Sequence, residues 1–235
     1  MAFPTTTASR GWSWRSPLSN CPDDLRRLYR EGRIIPFVGA GASMSVQWGD
    51  SPNLKSGPSW AQLVDQASRI LGADYPDLLR LRGTDLQILE YFNITKGGLA
   101  ELTNWLSNQF SQTNDSEIDA SPLFHALGKL NKCNLYYTTN YDDFLERSLR
   151  SSGRKTSVIT TEHTMNHDRQ SVEVVKFHGD FNSPQEMVLS ESQYMNRMRL
   201  ESSLDFNYDP ICWAVPYYFW DTAFATRTSP IFFTQ

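Results

Sequence analysis

Three short segments of the chain carry residues whose types and spacing could do chemistry: Gly39-Ala-Gly-Ala-Ser43, Thr138-Thr-Asn-Tyr-Asp142 and Lys176-Phe-His-Gly179. The first has the small residues needed to bring backbone N–H groups against a pyrophosphate at a helix N-terminus. The third glycine of a dinucleotide fingerprint is missing, because Met44 stands in its place. A tight strand-to-helix turn without a ligand therefore fits this segment equally well. The second segment offers an amide, Asn140, and a carboxylate, Asp142, two residues apart. Asn and Asp are also favoured turn and N-cap residues, so by itself this segment reads more readily as a cap than as a catalytic pair. The third supplies His178, the one of four histidines set between an apolar run and a glycine. A lone histidine is more often structural than catalytic. His125, His163 and His167 lie in helix or loop contexts without a partner pattern.

Each segment follows an apolar run, as a loop follows a buried strand. Arg33–Val38, Cys133–Thr138 and Val172–Phe177 read as those strands, and Ser157–Thr161 as another. Helical spacing of apolar residues marks Trp60–Leu71, and the same style continues through Pro76–Leu81, Leu86–Phe92 and Leu99–Phe110. Asp23–Glu31, Pro122–Leu130 and Phe144–Leu149 are further helix candidates, while Asp50–Pro58 and Ser111–Ser121 read as loops. Strands alternating with helices predict an α/β fold, a Rossmann-like parallel sheet flanked by helices. In such sheets ligands bind in the crevice beyond the carboxyl ends of the strands, where these three loops would lie. Residues 1–22 read as a mobile arm without the apolar core of a signal peptide.

The 235 residues suffice for a sizeable core, with 40% hydrophobic and 20% charged residues and a net charge of -4. That balance gives no electrostatic footprint for nucleic acid or an anionic membrane surface. No stretch approaches the ~20 apolar residues that a membrane span requires. Cys21, Cys133 and Cys212 are odd in number and widely spaced, which fits neither a disulfide framework nor a metal cluster and points to a cytoplasmic protein.

Taken in order, Gly-Ala-Gly-x-Ser, Thr-x-Asn-x-Asp and Lys-x-His-Gly resemble the motifs of the sirtuin family. The pattern is more similar to the NAD-hydrolysing sirtuin-like domains of bacterial anti-phage systems. These favour Thr-Thr-Asn-Tyr-Asp continued to a Glu, here Tyr141-Asp-Asp-Phe-Leu-Glu146, and His-Gly-Asp followed by a segment like Ser190-Glu-Ser-Gln-Tyr194. The resemblance runs from about Ile34 to about Phe206, giving an expected domain at 23–206. Two features of protein-deacetylating sirtuins are missing. No Cys-x-x-Cys occurs, so their four-cysteine zinc module is absent, and their Gly-x-Pro-Asp-Phe-Arg stretch has only Gly49-Asp-Ser-Pro-Asn53 as a counterpart.

The resemblance implies cleavage of NAD+, as substrate, at the nicotinamide–ribose bond, without a metal and without an acetyl-lysine substrate. Such cleavage builds positive charge on the sugar, as glycoside cleavage does. Orientation, charge stabilisation and an activated water are what the protein must then supply. By the resemblance, Asn140 positions the water and the ribose hydroxyls. His178 is the general base, a role that suits an imidazole. Asp142 holds the nicotinamide end or the motif loop. Gly39, Ala40, Gly41 and Ser43, with Thr139 beside them, surround the pyrophosphate and adjoining ribose. The implied setting is a defence system in which a linked sensor protein or domain triggers NAD+ depletion, with a homo-oligomer left open. A non-catalytic module that reports NAD+ or ADP-ribose to a partner is the alternative, and the joint presence of Asn140 and His178 argues against it. A protein deacylase is disfavoured by the missing zinc cysteines.

From about Asn207 the pattern changes. Asp209-Pro-Ile-Cys-Trp-Ala-Val-Pro-Tyr-Tyr-Phe-Trp220 is aromatic and broken by prolines, without a clear period. The family has an apolar strand here and then a Gly-Tyr-Ser-x-x-Asp-Pro-Asn-type loop that closes the nucleotide site. An exposed or partner-covered aromatic tail is one reading and a membrane-interface hairpin a lesser one. A third is a one-nucleotide deletion near codon 207. Back-translating Asp209–Phe233 and reading two nucleotides in, with synonymous codons free, allows SYLLGRAVLFLGYSFRDPNVSYLF, which holds both the strand and the loop. Trp213 and Trp220 each force a glycine in that frame, where the family has one. Residues 207–235 are on this reading an aberrant tail on a damaged enzyme, inactive as it stands and with the sheet edge uncovered. The nucleotide sequence decides: the shifted frame is expected to encode the strand and loop, and stop codons or unrelated residues there would refute the deletion.

Overall fold

The computed structural model describes residues 23–72, 76–160, 170–198 and 219–220. The N-terminal arm and all of the tail except Phe219–Trp220 lie outside the described residues. In chain order come α1 (Asp23–Arg30), β1 (Phe37–Val38), α2 (Ala40–Met44), β2 (Gln47–Trp48), β3 (Lys55–Ser56), and then four helices, α3 (Trp60–Ile70), α4 (Pro76–Arg80), α5 (Asp85–Lys96) and α6 (Ala100–Phe110). Then come α7 (Asp115–Ala120), α8 (Pro122–Gly128), β4 (Leu135–Thr138), α9 (Phe144–Ser151), β5 (Thr156–Ile159), β6 (Val172–Lys176), α10 (Glu191–Met198) and β7 (Phe219–Trp220).

The main sheet runs β5-β6-β4-β1-β7 with every neighbouring pair parallel. Helices flank it, so the expected α/β class holds. Side chains alternate between its faces, as the period of two requires. Tyr136, Val174 and Val38 turn to one side and join Val46, Trp48, Ile118, Phe124, Phe144 and Leu149. Tyr137, Val175 and Ile159 turn to the other, with Phe37 and Ile35 against them. A third cluster is almost purely helical: Leu63, Val64, Leu89, Phe92, Leu102 and Leu106 from α3, α5 and α6 enclose Met187 and Leu189.

Three expectations are corrected. Ser111–Ser121 is not all loop, because Asn114 caps α7: its side chain accepts from the Glu117 N–H while the Glu117 carboxylate accepts from the Asn114 N–H. This reciprocal box satisfies two helix-end donors, and Asn-x-x-Glu is its sequence signature. Asp50–Pro58 contains β3, which pairs antiparallel with β2 as a short hairpin. The far edge of β1 is not left uncovered, since Phe219–Trp220 pair with Phe37–Val38. The apolar run before Gly39 also contributes only Phe37–Val38 as paired strand.

Candidate functional site

The register sets the site. Val38 of β1 pairs with Thr138 of β4, and Thr138 pairs with Lys176 of β6. These three close one row of the sheet. Because the strands are parallel and adjacent, the loops starting at Gly39, Thr139 and Phe177 leave from the same carboxyl edge. Gly39–Ser43, Asn140, Asp142 and His178 are thereby gathered at one end of the sheet from distant parts of the chain.

Ser43 and the second loop form a closed hydrogen-bond network. The Ser43 hydroxyl donates to Asp142 Oδ2 at 2.5 Å and accepts from Asn140 Nδ2 at 2.7 Å. Asp142 Oδ1 accepts the Phe144 N–H at 3.1 Å, capping the first turn of α9. Thr138 Oγ1 donates to the Val38 carbonyl and accepts the Asn140 N–H. Ser43, Asn140 and Asp142 are all buried. Burial raises the Asp142 carboxyl above its usual range, against the pull of Lys176 and the Ser43 hydrogen bond. With both oxygens engaged, Asp142 holds the loop; the capping reading and the loop-holding reading describe the same carboxylate. One atom is left over. Asn140 Oδ1 is buried and has no partner among the described residues, an unusual state for an amide carbonyl.

The first loop opens α2, with Gly39 as an uncapped N-cap in extended conformation. Gly39 is buried, Gly41 half-buried and Ala40 exposed. Ser43 faces inward to the network, while Met44, where a third glycine was sought, is 46% exposed. Thr139 contributes its N–H to the Val38 carbonyl, so its backbone donor belongs to the sheet.

His178 is buried, with the Tyr194 hydroxyl 3.5 Å from Nδ1 and the Tyr194 ring edge-on at a centroid distance of 4.9 Å. Burial, reinforced by the Arg197 guanidinium, pushes its pKa down from 6.5 to about 4. Gly179 follows at φ +78, and a Cβ there would meet the Glu186 carbonyl oxygen at 2.6 Å. Only glycine lets the chain turn so closely behind the histidine. A cleft of about 290 Å³ opens beside this turn, lined by Phe177, Gly179, Met187 and Arg197 among others. A second, of about 490 Å³, lies away from the loops between Lys55, Arg69 and Trp105.

The sequence reading missed several groups. Sequence pattern alone assigns no role to Tyr194, Glu146 or Lys176, yet all three pack into or beneath the site. Lys in a strand of alternating apolar residues was the available signal. No group of three or more His, Cys, Asp or Glu that could hold a metal stands together among the described residues. None of the described helices is long and apolar enough to cross a membrane.

Polar loops over the carboxyl edge of an open parallel sheet define the class: an α/β domain of the kind that binds ligands at that edge. Residues 134–215 match the family model of the SIR2-like domain. The chain is similar to the NAD(+) hydrolase ThsA of Bacillus cereus, 28% identical over 176 residues that cover 73% of the chain and 33% of the relative. Defense-associated sirtuin 2 of Bacillus subtilis is 26% identical over 179 residues, covering 75% and 16%. The NAD(+) hydrolase ThsA of Acinetobacter baumannii is 26% identical over 178 residues, covering 73% and 32%. Over residues 134–215 the chain is thus similar to SIR2-like domains, and over most of its length it is similar to ThsA NAD+ hydrolases and to a defence-associated sirtuin. The match takes in a third or less of the length of these relatives.

The depressed His178 pKa yields a prediction. Between pH about 6.5 and about 4 the unfolded chain protonates this histidine and the folded chain does not, so its contribution to stability is lost as pH falls. An NMR titration of the His178 ring should show a midpoint near 4, and His178→Gln should lose less stability over that window than the parent. A midpoint near 6.5 would contradict the burial of the ring.

Proposed function

We propose that this chain is the sirtuin-like NAD+ hydrolase domain of an anti-phage defence protein, cleaving the nicotinamide–ribose bond. The observation that carries the reading is the unpartnered, buried Asn140 Oδ1 at the edge where the Gly39, Thr139 and Phe177 loops converge. A carbonyl held rigid by Ser43 on its amide side is suited to accept from a ribose hydroxyl or a water. The NAD+ hydrolases among the relatives support the substrate, and their lengths support a further, sensing part beyond the span matched here.

In this reading the positive charge that develops on the ribose faces the Asn140 carbonyl. His178, neutral over the physiological range, accepts the proton of the attacking water. Its low basicity weakens it as a proton acceptor. Nicotinamide is a good leaving group, so the water needs only modest activation once the C–N bond has loosened. The Gly39–Gly41 backbone takes the pyrophosphate, with Thr139 alongside. Asp142 and Ser43 set the position of Asn140 and make no direct contact with the reacting bond.

Incubated with NAD+, a chain with an intact domain should release nicotinamide and ADP-ribose. Asn140→Ala and His178→Ala should each slow that release by the ~10²–10⁴-fold that follows loss of an acid–base or orienting group. Near-normal turnover of either variant, with the fold retained, would remove that residue from the mechanism.

A further inference from the structure

Alternation along β6 puts Val172, Val174 and Lys176 on the face that packs against α9. Val172 and Val174 join the apolar cluster there, and Lys176, 2% exposed, occupies the next position of that face. A cation in such a place needs compensation from well-aimed partners. Lys176 Nζ lies 3.0 Å from Glu146 Oε1 of α9, and both side chains are 1% exposed. It also donates to the main-chain carbonyls of Tyr141, at 3.2 Å, and of Asp142. One ammonium at the end of β6 therefore fastens the turn between β4 and α9 from beneath, two residues before His178 in the turn that follows. Glu146 keeps a second buried oxygen, Oε2, without a partner among the described residues, and burial raises its pKa against the pull of Lys176.

We infer that Lys176 and Glu146 are positioning residues, a buried strut that holds the Asn140–Asp142 loop in register with His178. The inference rests on the reading that Asn140 and His178 share one NAD+ site. Neither strut residue reaches the crevice, since both lie under the loop whose carbonyls Lys176 grips. The interaction spans the two motifs that must act together: the carbonyls belong to the Asn140 loop and the ammonium to the strand that leads into His178. An apolar pair of similar volume would fill the same space and keep the core packed, but would leave the two carbonyls ungripped.

The test compares the 235-residue chain with Lys176→Met/Glu146→Leu and with Glu146→Gln, which keeps shape and an acceptor for Nζ. Amide hydrogen exchange and ADP-ribose affinity are read for each. Both variants should keep the fold and leave exchange late in α9 unchanged. Exchange at residues 141–144 should be at least tenfold faster in the double variant and faster to a smaller degree in Glu146→Gln, which leaves the ammonium without its countercharge. ADP-ribose should bind at least tenfold more weakly to the double variant. Loop exchange equal to that of the parent in either folded variant would overturn the strut. If the double variant fails to fold, Glu146→Gln decides by the same comparison. Failure of the parent itself to bind ADP-ribose would count against the NAD+ reading instead, while the exchange data would still decide the inference.

Discussion

A single serine hydroxyl links the parts of the site. Ser43 reaches from α2 to both polar side chains of the β4–α9 loop, donating to Asp142 and accepting from Asn140. Inside the protein, hydrogen bonds of this kind polarise one another, and a charged acceptor strengthens the chain further. Remove that hydroxyl and Asn140 loses the contact that fixes its amide, while a buried carboxyl loses a donor. The sheet makes the link possible, because the Val38, Thr138 and Lys176 row brings the three loops out side by side. Chemistry at this edge depends on register first and on side-chain identity second.

Much of the fold was legible because its elements are strongly patterned. The apolar runs before Gly39, Thr139 and Phe177 read as strands and are strands, although the first pairs through only Phe37 and Val38. Helices α3, α5 and α6 show apolar spacing that matches the burial of Leu63, Val64, Leu89, Phe92, Leu102 and Leu106. Where the reading failed, polarity hid a local rule. The α7 segment is too polar to show a period, and only its Asn114–Glu117 cap marks it as helix. The β2–β3 hairpin has two-residue strands, shorter than any alternation can reveal.

For the candidate site, the sequence named residues that the structure gathers at one edge of the sheet, without showing how they bond to one another. Asn140, Asp142 and Ser43 were each readable as ligand contacts, yet two of them spend their polar atoms on one another and on the Asn140 amide. Spacing cannot reveal that, because Ser43 and Asp142 are 99 residues apart. Lys176 looked like a motif letter. Only the burial of its face, with Glu146 opposite, shows a cation placed where alternation calls for a valine.

The central claim is that the unpartnered Asn140 carbonyl marks where NAD+ lies. A crystal structure of this chain with ADP-ribose tests it most directly. The account predicts the ligand across the Gly39–Ser43 turn, with a ribose hydroxyl or ordered water within about 3.2 Å of Asn140 Oδ1. ADP-ribose seated instead in the cleft between Lys55, Arg69 and Trp105, with Asn140 untouched, would contradict it.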